Sequence, residues 1–238
     1  MPKARIRQFE AWSYSRLTEW EKCAFKAKSK HLDKIAEPEN PKGAEGTAAH
    51  TDAERYATGA VNVRPKTLDR FAEEFDALRK IKRILRPEFE LALDAAWKQT
   101  TWFKTSGNPD PWVRIKMDLT YDKAEGSGKK APVIRNVIDY KNGIVRAEDE
   151  DQLELYAIGG LSMEPFVDVV RVALWYLKEG VIKPENGRVF VRSELPALIK
   201  KWGKRVAPMM ADTAFIPRPG RHCGWCHLTK AKKGPCPF

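Results

Sequence analysis

One hairpin constrains what this chain can fold into. Val113, Ile115, Met117, Leu119 and Tyr121 alternate with Arg114, Lys116, Asp118 and Thr120, the period of a strand with one apolar and one polar face. A Gly- and Lys-rich stretch at 123–131 reads as the hairpin loop, and the apolar, β-branched run at 133–140 as the returning strand. That strand ends in Asp139-Tyr140-Lys141 and turns on Asn142-Gly143. Residues two apart on a strand point to the same face, so Asp139 and Lys141 lie side by side. Paired strands run about 5 Å apart, which brings Asp118 within reach of Asp139.

Helical periods surround the hairpin. Leu17, Trp20, Ala24 and Ala27 keep three-four spacing after a capping Ser13 or Ser15. They predict one opening helix whose other face is basic, with Lys22, Lys26 and Lys30. Pro38 and Pro41 break the chain before a second helix at about 44–57. Leu68, Phe71, Phe75, Leu78, Ile81 and Leu85 mark the core stripe of a third at about 66–85. Short strands are expected at 89–93, 100–103, 167–177 and 188–191, with helices at about 148–161 and 193–210. This order predicts a mixed α/β fold, a mixed central sheet flanked by helices rather than a regular alternating parallel one. At 238 residues a single domain is expected. Within it lie a helical part at 1–87, a sheet core at 88–192, and a C-terminal helix with a cysteine cluster at 193–238.

Forty-three Lys and Arg against 32 Asp and Glu give a formal charge of +11. Such a surface is either simply solvated or suited to a polyanion whose phosphates it neutralises. No apolar stretch has the length of a membrane span, and the Lys/Arg-rich start lacks the apolar core of a signal peptide. A cytoplasmic location is therefore expected, and there spaced cysteines suggest metal binding rather than disulfides. Cys223-Gly-Trp-Cys226 and Cys236 crowd the C-terminal end, and Cys23 stands near the other. Four thiolates suit either an iron–sulfur cluster or zinc.

Carboxylates on neighbouring strands can hold a hard divalent cation, which prefers oxygen ligands. Such an ion lowers the pKa of a bound water and polarises a phosphoryl oxygen. Lys141 would then orient or deprotonate the attacking water, or stabilise the phosphate in flight. The plain alternative is a pair of strand-end carboxylates balanced by Lys116 and Lys141. Gln152 and Tyr156 lie four apart on one face of the following helix. There they could hold Lys141 or touch a phosphate, or simply belong to an amphipathic helix. His50 follows small residues in Gly46-Thr-Ala-Ala-His50, which let a helix approach a sheet or DNA closely; a lone helical His is more often just hydrogen-bonded.

In this order the motifs resemble the RecB-like branch of the PD-(D/E)XK nucleases, which includes the nuclease domains of RecB and AddB and the small CRISPR-associated adaptation nucleases. The resemblance spans nearly the whole chain. It begins at Trp12-Ser-Tyr-Ser-Arg-Leu17 and Lys22-Cys23, and runs through Gly46 and His50, Asp118, Asp139 and Lys141, and Gln152 and Tyr156 to the C-terminal cysteines. It implies a restriction-endonuclease-like core. His50, Asp118, Asp139 and the backbone carbonyl of Tyr140 would bind Mg²⁺ or Mn²⁺. Lys141 would be the catalytic lysine, and Gln152 and Tyr156 would support the site.

The resemblance also implies an iron–sulfur cluster, of the four-iron, four-sulfur kind, on Cys23, Cys223, Cys226 and Cys236, with Zn²⁺ as the alternative. That cluster would join the N- and C-terminal segments. The nine residues between Cys226 and Cys236 exceed the family's usual interval. The activity implied is that of a deoxyribonuclease, most directly an exonuclease acting from DNA ends in recombination, repair or DNA degradation. A structure-specific or internal endonuclease and a catalytically silent DNA-binding adaptor are the alternatives. Arg16, Lys22, Lys26 and Lys30 would face the DNA, single-stranded or with free ends. With no G-x₄-G-K-[ST] motif, unwinding would fall to a separate helicase or recombination partner.

Overall fold

In the computed structural model, which describes residues 8–126 and 131–238, the expected hairpin forms the middle of a six-stranded mixed sheet flanked by helices. The chain divides into two units. One is Asn40–Ile199; the other combines the segments up to Glu39 and from Lys200 onward.

The single opening helix is in fact two. α1 (Tyr14–Lys22) is capped by Ser13, whose hydroxyl accepts the Arg16 N–H, and it stops at Cys23, which is extended (φ −158°, ψ 106°). α2 (Ala24–His31) restarts at once. Leu17, Trp20, Ala24 and Ala27 are all buried, so the apolar spacing runs straight across the break. Lys22 therefore sits on a different helix from Lys26 and Lys30.

Asn40 caps α3 (Pro41–Ala57), with Pro41 preset for the first turn. The predicted third helix is a 3-10 turn (Lys66–Phe71), then α4 (Ala72–Lys80), then a second 3-10 turn (Lys82–Ile84). Its stripe is core all the same: Leu68, Phe71, Phe75, Leu78 and Leu85 are buried, and Ile81 packs against them.

The strands are β1 (Arg86–Leu93), β2 (Gln99–Thr100), β3 (Val113–Ala124) and β4 (Val133–Lys141), followed by α5 (Asp151–Met163) and then β5 (Val169–Tyr176) and β6 (Val181–Val191). α6 (Leu195–Ala211) closes the regular structure. The strand order is β2-β1-β3-β4-β5-β6. β4 and β5 run parallel, with α5 as the crossover, and the other pairs are antiparallel. The strand expected at 100–103 shortens to β2 because Thr101 turns its hydroxyl onto the Phe103 carbonyl at 2.7 Å. The one expected at 188–191 is the end of the longer β6. Pro184-Glu-Asn-Gly187 bulges there, four residues opposing Ala173 alone, a distortion that an edge strand tolerates. Residues 127–130 of the expected hairpin loop lie outside the described residues.

β4 is buried along nearly its whole length, as a central strand with a parallel neighbour should be. On one face Ala49, Ala53 and Ala57 bring α3 down onto Leu119, Ile138 and Tyr140, with Phe71, Phe75 and Trp175 packed among them. On the other, α5 approaches through two glycines. A Cβ at Gly159 would stand 2.8 Å from Met117 Cε, and one at Gly160 would stand 2.9 Å from Val170 Cγ2. The buried Arg135 forks onto Asp122 with two 2.8 Å bonds and donates to the Gly160 carbonyl at 2.9 Å. A buried charge needs such partners, and these tie α5 to the sheet.

In the unit made by the chain ends, Trp12 stacks on Trp202 (5.9 Å, 11°) and Arg205 forks onto Glu21 at 2.8 and 2.9 Å. Trp20 donates to Asp212 at 2.7 Å, while Arg218 donates to the carbonyls of Trp20 and Glu21 at 2.8 and 2.9 Å.

Candidate active site

Asp118 is flanked by acids on both neighbouring strands. The β3–β4 register runs to Leu119↔Ile138, and continuing it sets Asp118 across from Asp139. On the other flank Pro87↔Leu119 and Phe89↔Met117 bracket a position where Glu88 stands opposite Asp118. The alternation of β3 breaks here. Ile115 and Met117 reach α5 at Gly159, whereas Leu119 belongs to the α3 face. Glu88 itself has φ 47°, a left-handed conformation costing a non-glycine residue about 1–2 kcal/mol. α3 adds His50, whose Nδ1 lies 3.3 Å from Asp118 Oδ2. The ligand atoms of His50, Glu88 and Asp118 all lie within 4.8 Å of one another. Sequence reasoning missed Glu88, which precedes the strand expected at 89–93 and is placed only by the pairing of β1 with β3.

Asp139 is buried and closes a ring with three other side chains. The Tyr156 hydroxyl donates to Asp139 Oδ1, and Gln152 Nε2 donates to the Tyr156 oxygen at 2.6 Å. Lys141 Nζ donates to Gln152 Oε1 at 2.9 Å and stands 2.8 Å from Asp139 Oδ2. Between Asp139 and Lys141, Tyr140 gives its backbone N–H to Asp118 Oδ2 at 2.7 Å and sets its ring edge-on to His50. Spacing along α5 explains the ring, because residues four apart share a face and the glycines let that face approach β4.

The electrostatics follow from burial and crowding. Burial pushes the Asp139 carboxyl above its ordinary range, and Asp118 adds to this while Lys141 opposes it. Burial pulls the Lys141 ammonium down, but the charge of Asp139 outweighs it and the net shift is upward. His50 likewise ends above its usual value, because Asp118 outweighs burial. Asp139 Oδ2 is buried without a well-directed hydrogen bond. That oxygen, held by the Lys141 charge, joins two further carboxylates and an imidazole in a hard oxygen-and-nitrogen donor set that fits Mg²⁺ or Mn²⁺. They line a cleft of about 520 Å³, together with Gly46 and Thr47 of α3 and Lys116 of β3.

A family model described as the PD-(D/E)XK nuclease superfamily matches residues 11–231. The chain belongs to that superfamily. Its mixed sheet is the restriction-endonuclease-like core of the family, and membership makes it a metal-dependent nuclease that would act on DNA. Such nucleases use Mg²⁺ or Mn²⁺, which the acidic cluster suits. No curated protein matches the chain. Among the described residues no helix is long and apolar enough to cross a membrane.

The other candidate residues of this nuclease lie in the unit formed by its ends. Cys23, Cys223, Cys226 and Cys236 line one small cavity walled by Phe25, Pro217 and Leu228. No Asp or Glu is among the described residues lining it. Gly220 points its N–H at Cys223 Sγ, 3.4 Å away. The long interval before Cys236 folds back on itself. Cys236 donates its N–H to the Leu228 carbonyl at 2.8 Å and Gly234 to that of Thr229 at 2.9 Å. Gly234 crosses so close that a Cβ would stand 2.3 Å from the Leu228 carbonyl carbon. Lys230, Lys232 and Lys233 are exposed on this excursion.

Two of the four cations expected to face DNA already have carboxylate partners. Lys26 lies 3.2 Å from Glu19 and 3.1 Å from Glu37, and Lys30 pairs with the same two acids. Arg16 donates to the Ala11 carbonyl and lies 5.6 Å from the Phe9 ring centroid. Lys22 is exposed at the end of α1. Burial pushes Glu19 up, but His31, Lys30 and Lys26 outweigh it and hold its pKa at about 2.

Proposed function

We propose that this chain is a deoxyribonuclease of the RecB-like branch that degrades DNA from its ends. The observation that carries the reading is the closed ring of Asp139, Lys141, Gln152 and Tyr156 beside His50, since it joins the motifs on which the resemblance rests. His50, Glu88, Asp118, Asp139 and the Tyr140 carbonyl are the residues to hold the Mg²⁺ or Mn²⁺. When bound, that ion supplies Lewis acidity toward the phosphoryl oxygen and a lowered pKa for water. Tyr156 fixes the rotamer of Asp139 through its donated proton. Gln152 aims Lys141. Held by Asp139 and Gln152, Lys141 would orient or deprotonate the attacking water, or stabilise the phosphate.

The four cysteines are assigned to a four-iron, four-sulfur cluster, supported by thiols from both ends of the chain around one carboxylate-free cavity. Such a ligand set closes a loop of about 200 residues and restricts the unfolded chain, by roughly 5 kcal/mol on the analogy of a disulfide. The choice of exonuclease rests on the resemblance, as do the role of Arg16, Lys22, Lys26 and Lys30 toward DNA, the separate helicase partner and the cytoplasmic location.

End-labelled linear DNA and covalently closed circles, each incubated with Mg²⁺ or Mn²⁺, test the reading. Digestion of linear DNA alone supports it. Cutting of closed circles replaces it with an endonuclease, and inert metal-loaded protein makes the chain a silent DNA-binding subunit.

A further inference from the structure

The geometry points to a base-stacking platform, made by Trp102, Phe103 and Arg114, that holds single-stranded DNA where it leaves the metal cleft. It rests on the nuclease reading above and names a substrate contact for it.

Side chains at every second position of a strand share a face, so Arg114 and Lys116 lie on one face of β3, ahead of the break at Asp118. Lys116 lines the cleft. Arg114 lies two positions further out, roughly 14 Å from Asp118 at ~3.4 Å per residue. Its guanidinium carbon is 5.7 Å from the ring centroids of both Trp102 and Phe103, and its Nε donates to the Trp102 carbonyl at 2.9 Å. Phe103 nevertheless leaves 68% of its surface open.

The loop that carries the rings is fixed by its own bonds. Thr100 donates to the Pro109 carbonyl at 2.6 Å and Thr101 to that of Phe103 at 2.7 Å, while Asn108 donates to Thr105 at 3.1 Å. At the base, Trp112 donates its N–H to the Leu93 carbonyl and packs edge-on against Trp97. A surface held this way pays little ordering entropy on binding.

A lone exposed ring would mean nothing. Here an exposed ring beside the Arg114 cation stands two positions along β3 from Lys116, which lines the cleft and is paired there with Glu88. A single strand fits that arrangement, with a phosphate toward Arg114 and an unpaired base on Phe103. Duplex DNA keeps its bases stacked inside and offers the ring nothing.

Fluorescence anisotropy with labelled oligothymidylate in EDTA tests the platform without catalysis. Phe103→Ala should raise Kd about tenfold, Phe103→Tyr should stay near wild type, and affinity for a blunt duplex should not change. With Mg²⁺, Phe103→Ala should raise KM and leave kcat alone. An abasic nucleotide at the matching position of the oligonucleotide should cost wild type the same factor and the variant nothing further. Unchanged affinity for oligothymidylate overturns the platform, and so does an equal loss on duplex, which would mean a backbone contact. Wild-type protein that never cleaves DNA, yet loses affinity on Phe103→Ala, would remove the nuclease reading and keep the platform.

Discussion

Glu88 and Asp118 face each other across β1 and β3, two carboxylates at directly opposed positions, with the Glu88 backbone at φ 47°. Like charges so placed repel, and the pairing of Glu88 with the half-exposed Lys116 offsets little of that. Glu88→Gln should therefore raise the Tm of metal-free protein by about 2–4 °C. It should also weaken Mn²⁺ binding, seen as a smaller rise in Tm on titration with Mn²⁺. A variant with the wild-type metal response would take Glu88 out of the site.

Asp139→Ala should abolish cleavage by several orders of magnitude while DNA binding survives or strengthens, because a negative charge facing phosphates has gone. Tyr156→Phe is the milder change. It withdraws the proton given to Asp139 and the acceptor used by Gln152, and should reduce metal-dependent activity about 10–100-fold, as the loss of a group orienting a metal ligand does. Steady-state cleavage at several Mn²⁺ concentrations distinguishes the two. Equal activity of Tyr156→Phe and wild type would show that the ring is ornamental to catalysis.

Glu19 should make the unit formed by the chain ends sensitive to acid. Its folded pKa of about 2 lies below the usual 4.5, so the stabilisation is complete above pH ~4.5 and drains away as pH falls toward 2. The shift corresponds to about 3 kcal/mol at most. Glu19→Gln should flatten the loss of stability across that window in urea unfolding at stepped pH. A slope equal to that of wild type would assign the acid sensitivity elsewhere.

Cys23→Ser should lose the bound metal as fully as Cys226→Ser, although the two stand at opposite ends of the sequence. Anaerobic wild type should be brown, with iron and sulfide found on analysis. Colourless protein with one zinc per chain would exchange the metal and keep the four ligands. A full metal complement in Cys23→Ser would remove that residue from the set. The Arg218 and Arg205 bonds to α1 do not involve sulfur, so some order in this unit should outlast the metal.

The parts of the fold written in period two or in spaced motifs were legible. β3 and β4 follow from their alternation, and Asp139, Lys141, Gln152 and Tyr156 follow from intervals that a strand end and a helix face convert directly into proximity. What escaped left no periodic trace. Cys23 breaks the opening helix without disturbing the burial of Leu17, Trp20, Ala24 and Ala27. β6 hides behind Pro184 and Gly187, residues that ordinarily mark a turn. Glu88 was invisible because its place depends on β1 pairing beside β3, a long-range fact that no local pattern encodes. Trp102 and Phe103 read as strand, yet hydroxyl bonds from Thr100 and Thr101 bend them into a loop.

The interval between Cys226 and Cys236 has a closed stem: one hydrogen bond from Cys236 to Leu228 and a glycine crossing at Gly234. The residues between Thr229 and Gly234, Lys230 to Lys233, are an exposed appendix on that stem. Its length and its lysines can drift through insertion or deletion while the stem keeps its geometry, provided that the crossing residue remains a glycine. Counting residues between cysteines therefore measures the appendix and not the distance between the sulfurs. A motif for such tails is better anchored to the Leu228–Cys236 closure than to a fixed gap.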